Sequence, residues 1–120
     1  MIKAYKIYTG ADGHTHIISG TVTQDLLSQA RTIRFKETPA GSTYDWHPAP
    51  SIQYVITLTG TLEFETFLGE TFILKPGEIL LAMDLTGSGH KWKLIDDQPW
   101  KRAYVAFDEA TEMIFVEDKQ

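Results

Sequence analysis

His47, His90 and Gln53 are the side chains of this chain best suited to chemistry at neutral pH. An imidazole titrates near neutrality and can give or take a proton, while a carboxamide can donate and accept a hydrogen bond at once. His47, Ala49, Ser51, Gln53 and Val55 share one parity, so an unbroken extended stretch lines one face with all five. Pro48 and Pro50 work against that continuity, since proline donates nothing to a strand ladder. Trp92 shares strand parity with His90. For each of these residues a plainer reading stands beside the chemical one. The histidines can be hydrogen-bonded lining residues with Gln53 satisfying one of them, and Tyr44, Trp46 and Trp92 can be packing residues. His14 and His16 flank a glycine-rich turn; a His-Thr-His pair can hold metal, but on a terminal loop it reads as polar surface.

Such side chains need a scaffold, and the rest of the chain predicts one made of strands. Short apolar and polar alternations broken by glycine and proline recur, and no helical period lasts beyond about two turns. Nine strands are expected: Ile2 to Thr9, His16 to Ser19, Arg31 to Glu37, Ile52 to Thr59, Thr61 to Thr66, Thr71 to Leu74, Glu78 to Met83, His90 to Ile95 and Arg102 to Phe107. Thr23 is placed to cap a short helix running to Ala30. The tail after Asp108, with Met113, Ile114, Phe115 and Val116, reads as a final strand or a short helix.

At 120 residues the chain fits a single domain spanning 1–120, long enough to bury about two-thirds of its unfolded surface. Eleven basic against sixteen acidic residues leave a net charge of -5, which argues against a nucleic-acid partner. There are no cysteines, so disulfides, thiolate metal sites and thiol nucleophiles are excluded. No apolar run near the start is long enough for a signal peptide or a membrane span, so a cytoplasmic protein without a membrane partner is expected.

Five residues separate Gly41 from His47, five separate His47 from Gln53, and six separate Gln53 from Gly60. This spacing resembles the first motif of the cupins: glycine, five residues, His, one, His, three or four, Glu, six, glycine. Ala49 stands at the second histidine position and Gln53 at the glutamate position. Sixteen residues separate Gly60 from Gly77, and the segment from Gly77 through Gly87 and His90 to Leu94 resembles the second motif with about two residues added. Met83 stands where that motif has proline, and Leu94 where it has asparagine.

The resemblance implies an all-β fold, a cupin-type double-stranded β-helix or jelly-roll barrel of two antiparallel sheets, here in a small single-domain form similar to the RmlC-like superfamily. It also implies that His47, Ala49, Gln53 and His90 face the barrel interior, where His47, Gln53 and His90 stand as candidate metal ligands. Two neutral imidazoles and a neutral amide offer a divalent cation such as Ni, Fe, Mn or Zn no compensating charge, so weak, substoichiometric binding is expected. Asp45 or Asp84 adds a carboxylate only if its loop bends inward.

The fold implies a small-molecule ligand inside the barrel, bound by His47, Gln53, His90, Trp92 and Tyr44, in a metabolite-binding or sensor module. The competing expectation is an isomerase, lyase or dioxygenase type of enzyme using His47 and His90 as acid and base or as ligands of a weakly held metal. Truncating either histidine is expected to cost near 1 kcal/mol of stability if both are pocket residues. Apolar edge strands at the termini predict a homodimer.

Overall fold

A computed structural model describes residues 1–118. Eleven strands follow in chain order: β1 (Ile2–Thr9), β2 (Thr15–Val22), β3 (Thr32–Thr38), β4 (Thr43–His47), β5 (Gln53–Thr59), β6 (Leu62–Thr66), β7 (Thr71–Leu74), β8 (Ile79–Met83), β9 (His90–Leu94), β10 (Trp100–Ala106) and β11 (Phe115–Glu117). They form a seven-stranded sheet of order β11-β2-β1-β8-β5-β10-β3 and a four-stranded sheet of order β4-β9-β6-β7. The pairing of β1 with β8 is parallel, with Ala4 opposite Ile79, while every other strand pair described is antiparallel.

Period-two alternation explains where the core lies. Along β6, Leu62, Phe64 and Thr66 are buried while Glu63 and Glu65 are not, so one face of the strand turns inward. Ile7, Val55 and Leu80 of the large sheet meet Leu62, Phe64, Trp92 and Leu94 of the small one in a shared core. Burying each such side chain contributes roughly 1.5–3 kcal/mol. Phe64 and Phe72 stack at 5.0 Å, and Trp92 meets Trp100 edge-on at 4.8 Å. A second, smaller cluster of Tyr54, Leu81 and Phe107 lies on the outer face of the large sheet, covered by Ile114 and Phe115.

The all-β expectation therefore holds, with three corrections. Thr23 to Ala30 forms no helix: Asp25 has φ +66°, outside the helical region, and Leu26 and Leu27 are exposed, so the segment has no apolar face to bury. Thr43–His47 is a strand that its alternation did not announce, because all but His47 of its residues are exposed. The strand at the start of the chain is not an edge. β1 pairs on both sides, with β2 and β8; the edges of the large sheet are β3, where Ile33 and Phe35 are exposed, and the C-terminal strand β11, where Val116 is exposed. The tail resolves as a strand, β11, paired with β2. Among the described residues no helix is long and apolar enough to cross a membrane.

Candidate ligand-binding site

Between the two sheets lies a cavity of about 290 Å³, bordered by all five residues expected to bind ligand: Tyr44, His47, Gln53, His90 and Trp92. Gln53 and Val55 reach it from β5, and His90 and Trp92 from β9. Ala49 also lines it, although the chain from Pro48 to Ile52 is not extended strand. The shared face read along that stretch is thus only partly continuous. Ser51 drops out of the main cavity and reaches Gln53 Oε1 with its hydroxyl at 3.4 Å.

A bulge in β4 brings the two histidines together. Thr43 and Tyr44 lie opposite Lys93 and Trp92, but the register then shifts, so that His47 instead of Trp46 lies opposite His90. The extra residue lets Tyr44 and His47, of opposite parity, both face the cavity, their rings stacked at 4.1 Å. The His47 and His90 rings lie 4.5 Å apart. The loop before β9 fits closely under this bulge. Gly89 has φ +71°, and a Cβ there would collide with the His47 carbonyl oxygen, so only glycine lets the two strands approach this way.

The histidines have different surroundings. His47 is half-buried, and its Nδ1–H donates to the Asp45 carbonyl at 2.7 Å, leaving Nε2 as the free acceptor. Burial lowers its pKa from the ordinary value; the Asp45 bond opposes this, and the neighbouring His90 adds to the lowering. The neutral form of the ring is therefore the favoured one. His90 is buried, and its Nδ1 lies 2.6 Å from Oδ2 of Asp84, a carboxylate with no solvent exposure. The same oxygen accepts from the Thr15 hydroxyl at 2.8 Å, and Asp84 Oδ1 is buried without a partner. With Nδ1 committed to the carboxylate, His90 also keeps Nε2 for other partners. His90 is thus both a cavity residue and a core histidine, whereas His47 is a cavity residue alone.

Asp84 does turn inward, but behind His90 instead of into the cavity, and Asp45 stays exposed on β4. No Asp or Glu lines the cavity. Among the described residues no group of three or more His, Cys, Asp or Glu is arranged to hold a metal ion. The donor set is two imidazoles and an amide facing Arg34, Lys36 and Arg102, which does not fit a resident divalent cation. Trp92 and Tyr44 serve both packing and lining: Trp92 is 7% exposed, and Tyr44 meets it edge-on at 6.0 Å. His14 and His16 lie elsewhere, His14 bonded to Ser88 and stacked on Phe67, and His16 bonded to Asp12.

Sequence reasoning missed the basic side of the cavity. Arg34 and Lys36 pair with Tyr104 and Arg102 across β3 and β10, and all four line it. Alternation in Thr32–Thr38 held the signal, since Arg34 and Lys36 share one parity and Ile33 and Phe35 the other. The habit of turning the apolar parity inward points the wrong way here.

No protein-family model matches the chain, and no curated protein matches it. Among solved structures it is similar to the cupin domain of Cnp3 from Schizosaccharomyces pombe, with 16% identity, a TM-score of 0.51, and coverage of 90% of this chain and 89% of that one. The fold is that of a cupin.

Proposed function

We propose that the chain is a small-molecule-binding module that holds a metabolite between its two sheets. The observation carrying this reading is the cavity itself, in which two imidazole Nε2 atoms, the Gln53 amide and the faces of Tyr44 and Trp92 converge. Apolar walls with a few converging polar groups are the usual makeup of a ligand site, and about 290 Å³ lies at its small end. Binding of this kind needs no metal, because the polar groups are hydrogen-bonding partners in their neutral forms. The net charge of -5 disfavours nucleic acid as the partner.

The test is a titration of isotope-labelled protein with small sugars, keto acids and hydroxy acids, followed by amide chemical shifts. Shifts concentrated on β4, β5 and β9 that disappear in His47→Ala support the reading. Shifts scattered over the surface, or binding unchanged in His47→Ala, overturn it.

A second reading, acid–base catalysis, is favoured by one specific contact: the buried Asp84 carboxylate on His90 Nδ1. A carboxylate in that position fixes the imidazole tautomer and its orientation, which suits proton transfer at Nε2 beside His47. If a bound probe is converted during the titration and His90→Gln halts the conversion without halting binding, the catalytic reading replaces the first.

A further inference from the structure

We propose that the ligand is an organic anion, whose carboxylate or phosphate group is received by Arg102 together with Arg34 and Lys36; this rests on the binding role of the cavity. Arg102 is only 2% exposed, yet none of the ion pairs among the described residues includes it. A buried guanidinium without an anion is costly, and sites that bind anions supply the missing charge from the ligand. Arg102 is also held rigidly. Its Nε donates to the Tyr104 hydroxyl at 2.9 Å, and its Nη1 donates to Thr38 Oγ1 at 2.7 Å and to the Trp100 carbonyl at 3.0 Å. The guanidinium lies over the Trp100 ring at 3.7 Å. Those bonds occupy Nε and Nη1 and leave the Nη2 donors for a ligand oxygen, a charge-assisted hydrogen bond from a guanidinium already held in place.

The neighbouring cations are placed in the same sense. Arg34 and Lys36 turn to the cavity side of β3 while Ile33 and Phe35 turn away from it, the reverse of what burial of apolar area favours. Arg34 lies over the Tyr104 ring at 4.7 Å, and neither Arg34 nor Lys36 pairs with an acid among the described residues. Three cations and no carboxylate face one cavity in a chain whose acids outnumber its bases, sixteen to eleven. The result is a local positive field set against the charge of the whole molecule. The imidazoles of β4 and β9 approach from the small sheet and the cations of β3 and β10 from the large one. A ligand anchored by its anionic group thereby presents its remaining polar atoms to His47 and His90.

The plainer account is that Arg102 only ties β10 to β3 through Thr38, and the experiment separates the two. Labelled protein is titrated with L-malate, glycerol 3-phosphate and uncharged glucose, each to about 10 mM, a range that detects weak binding. The side-chain Nε–H signal of Arg102 is followed beside the amides of β4, β5 and β9. A response of Arg102 to malate, to glycerol 3-phosphate or to both, but not to glucose, supports the proposal and says whether carboxylate or phosphate is preferred. Arg102→Gln, which keeps a neutral donor, should weaken that binding by about 10- to 100-fold. Because this buried change can disturb folding, the exposed pair Arg34→Gln with Lys36→Gln is the second arm, with an expected loss of about 2- to 5-fold. Failure of both anions to move Arg102, or anion binding unaltered in the exposed pair, overturns the proposal. If glucose shifts the cavity amides while the anions do not, the anion reading falls and the binding reading survives; if His47→Ala leaves anion binding intact, the binding site itself is misplaced.

Discussion

Replacing each histidine by alanine should have very different costs, although the two rings touch. His90→Ala removes the partner of a carboxylate with no solvent exposure and leaves Asp84 Oδ2 with the Thr15 hydroxyl alone, beside an Oδ1 that is already unpartnered. Removing one member of a buried pair costs about 3–5 kcal/mol. That is a large part of the roughly 5–15 kcal/mol that holds a domain of ordinary size together. His47→Ala removes a half-buried ring whose hydrogen bond goes to the carbonyl of exposed Asp45, which water can satisfy afterwards, so the cost is about 1 kcal/mol. The gap of at least about 2 kcal/mol, divided by a urea slope of about 2 kcal/mol per molar, separates the two unfolding midpoints by about 1 M. Urea unfolding at pH 7, followed by tryptophan fluorescence, reads this directly. Adding Asp84→Ala to His90→Ala should then recover part of the loss, because the stranded carboxylate is gone. Midpoints of the two single variants within about 0.3 M of each other, or a double variant no more stable than His90→Ala, would refute the account of the buried pair.

Three further outcomes are expected. The lowered pKa of His47 means that the unfolded chain takes up a proton there before the folded chain does; no effect is present well above about 6.5, and stability is lost as pH falls below it, a loss that His47→Asn should reduce in unfolding curves at pH 7 and pH 5. Elemental analysis of purified protein should find substoichiometric divalent metal, whereas Ala49→His with Gln53→Glu, both at cavity positions, should raise affinity by orders of magnitude in calorimetric titration. The exposed apolar residues Ile33 and Phe35 on edge strand β3 are suited to self-association, so light scattering at micromolar concentration should give a dimer mass, and Phe35→Lys should shift it toward monomer.

Where glycines and polar residues repeat at fixed intervals, the sequence was informative. The spacing of Gly41, His47, Gln53, Gly60 and His90 led to the fold and to one cavity holding both histidines, because these intervals reflect strand lengths and turns that the barrel imposes. Parity alone could not foresee that the chain leaves the strand at Pro48 and returns at Gln53, nor that a bulge between Tyr44 and His47 resets which residue opposes His90. The second is decided by contact with another strand, through Gly89, while the first had only Pro48 and Pro50 to announce it. The Asp84–His90 pair joins residues six apart across a turn, and no periodic pattern marks such a contact. Arg102 was legible only as an ordinary charged residue; its burial depends on Trp100, Thr38 and Tyr104 being brought around it by β3 and β10.

The parallel pairing of β1 with β8 bears on how the molecule is made. Ala4 must find Ile79, so the centre of the large sheet cannot close until everything between β1 and β8 has been made. At typical synthesis rates of about 5–20 residues per second, the β1–β2 hairpin waits several seconds with one edge of β1 unpaired. Such long-range closure is slow by its topology and leaves hydrogen-bonding edges open to other chains in the meantime. Ile7, fully buried in the finished core, has no partner on the β8 side during that interval, so the stretch of chain most buried at the end is the one left apolar and open while the cavity has yet to form.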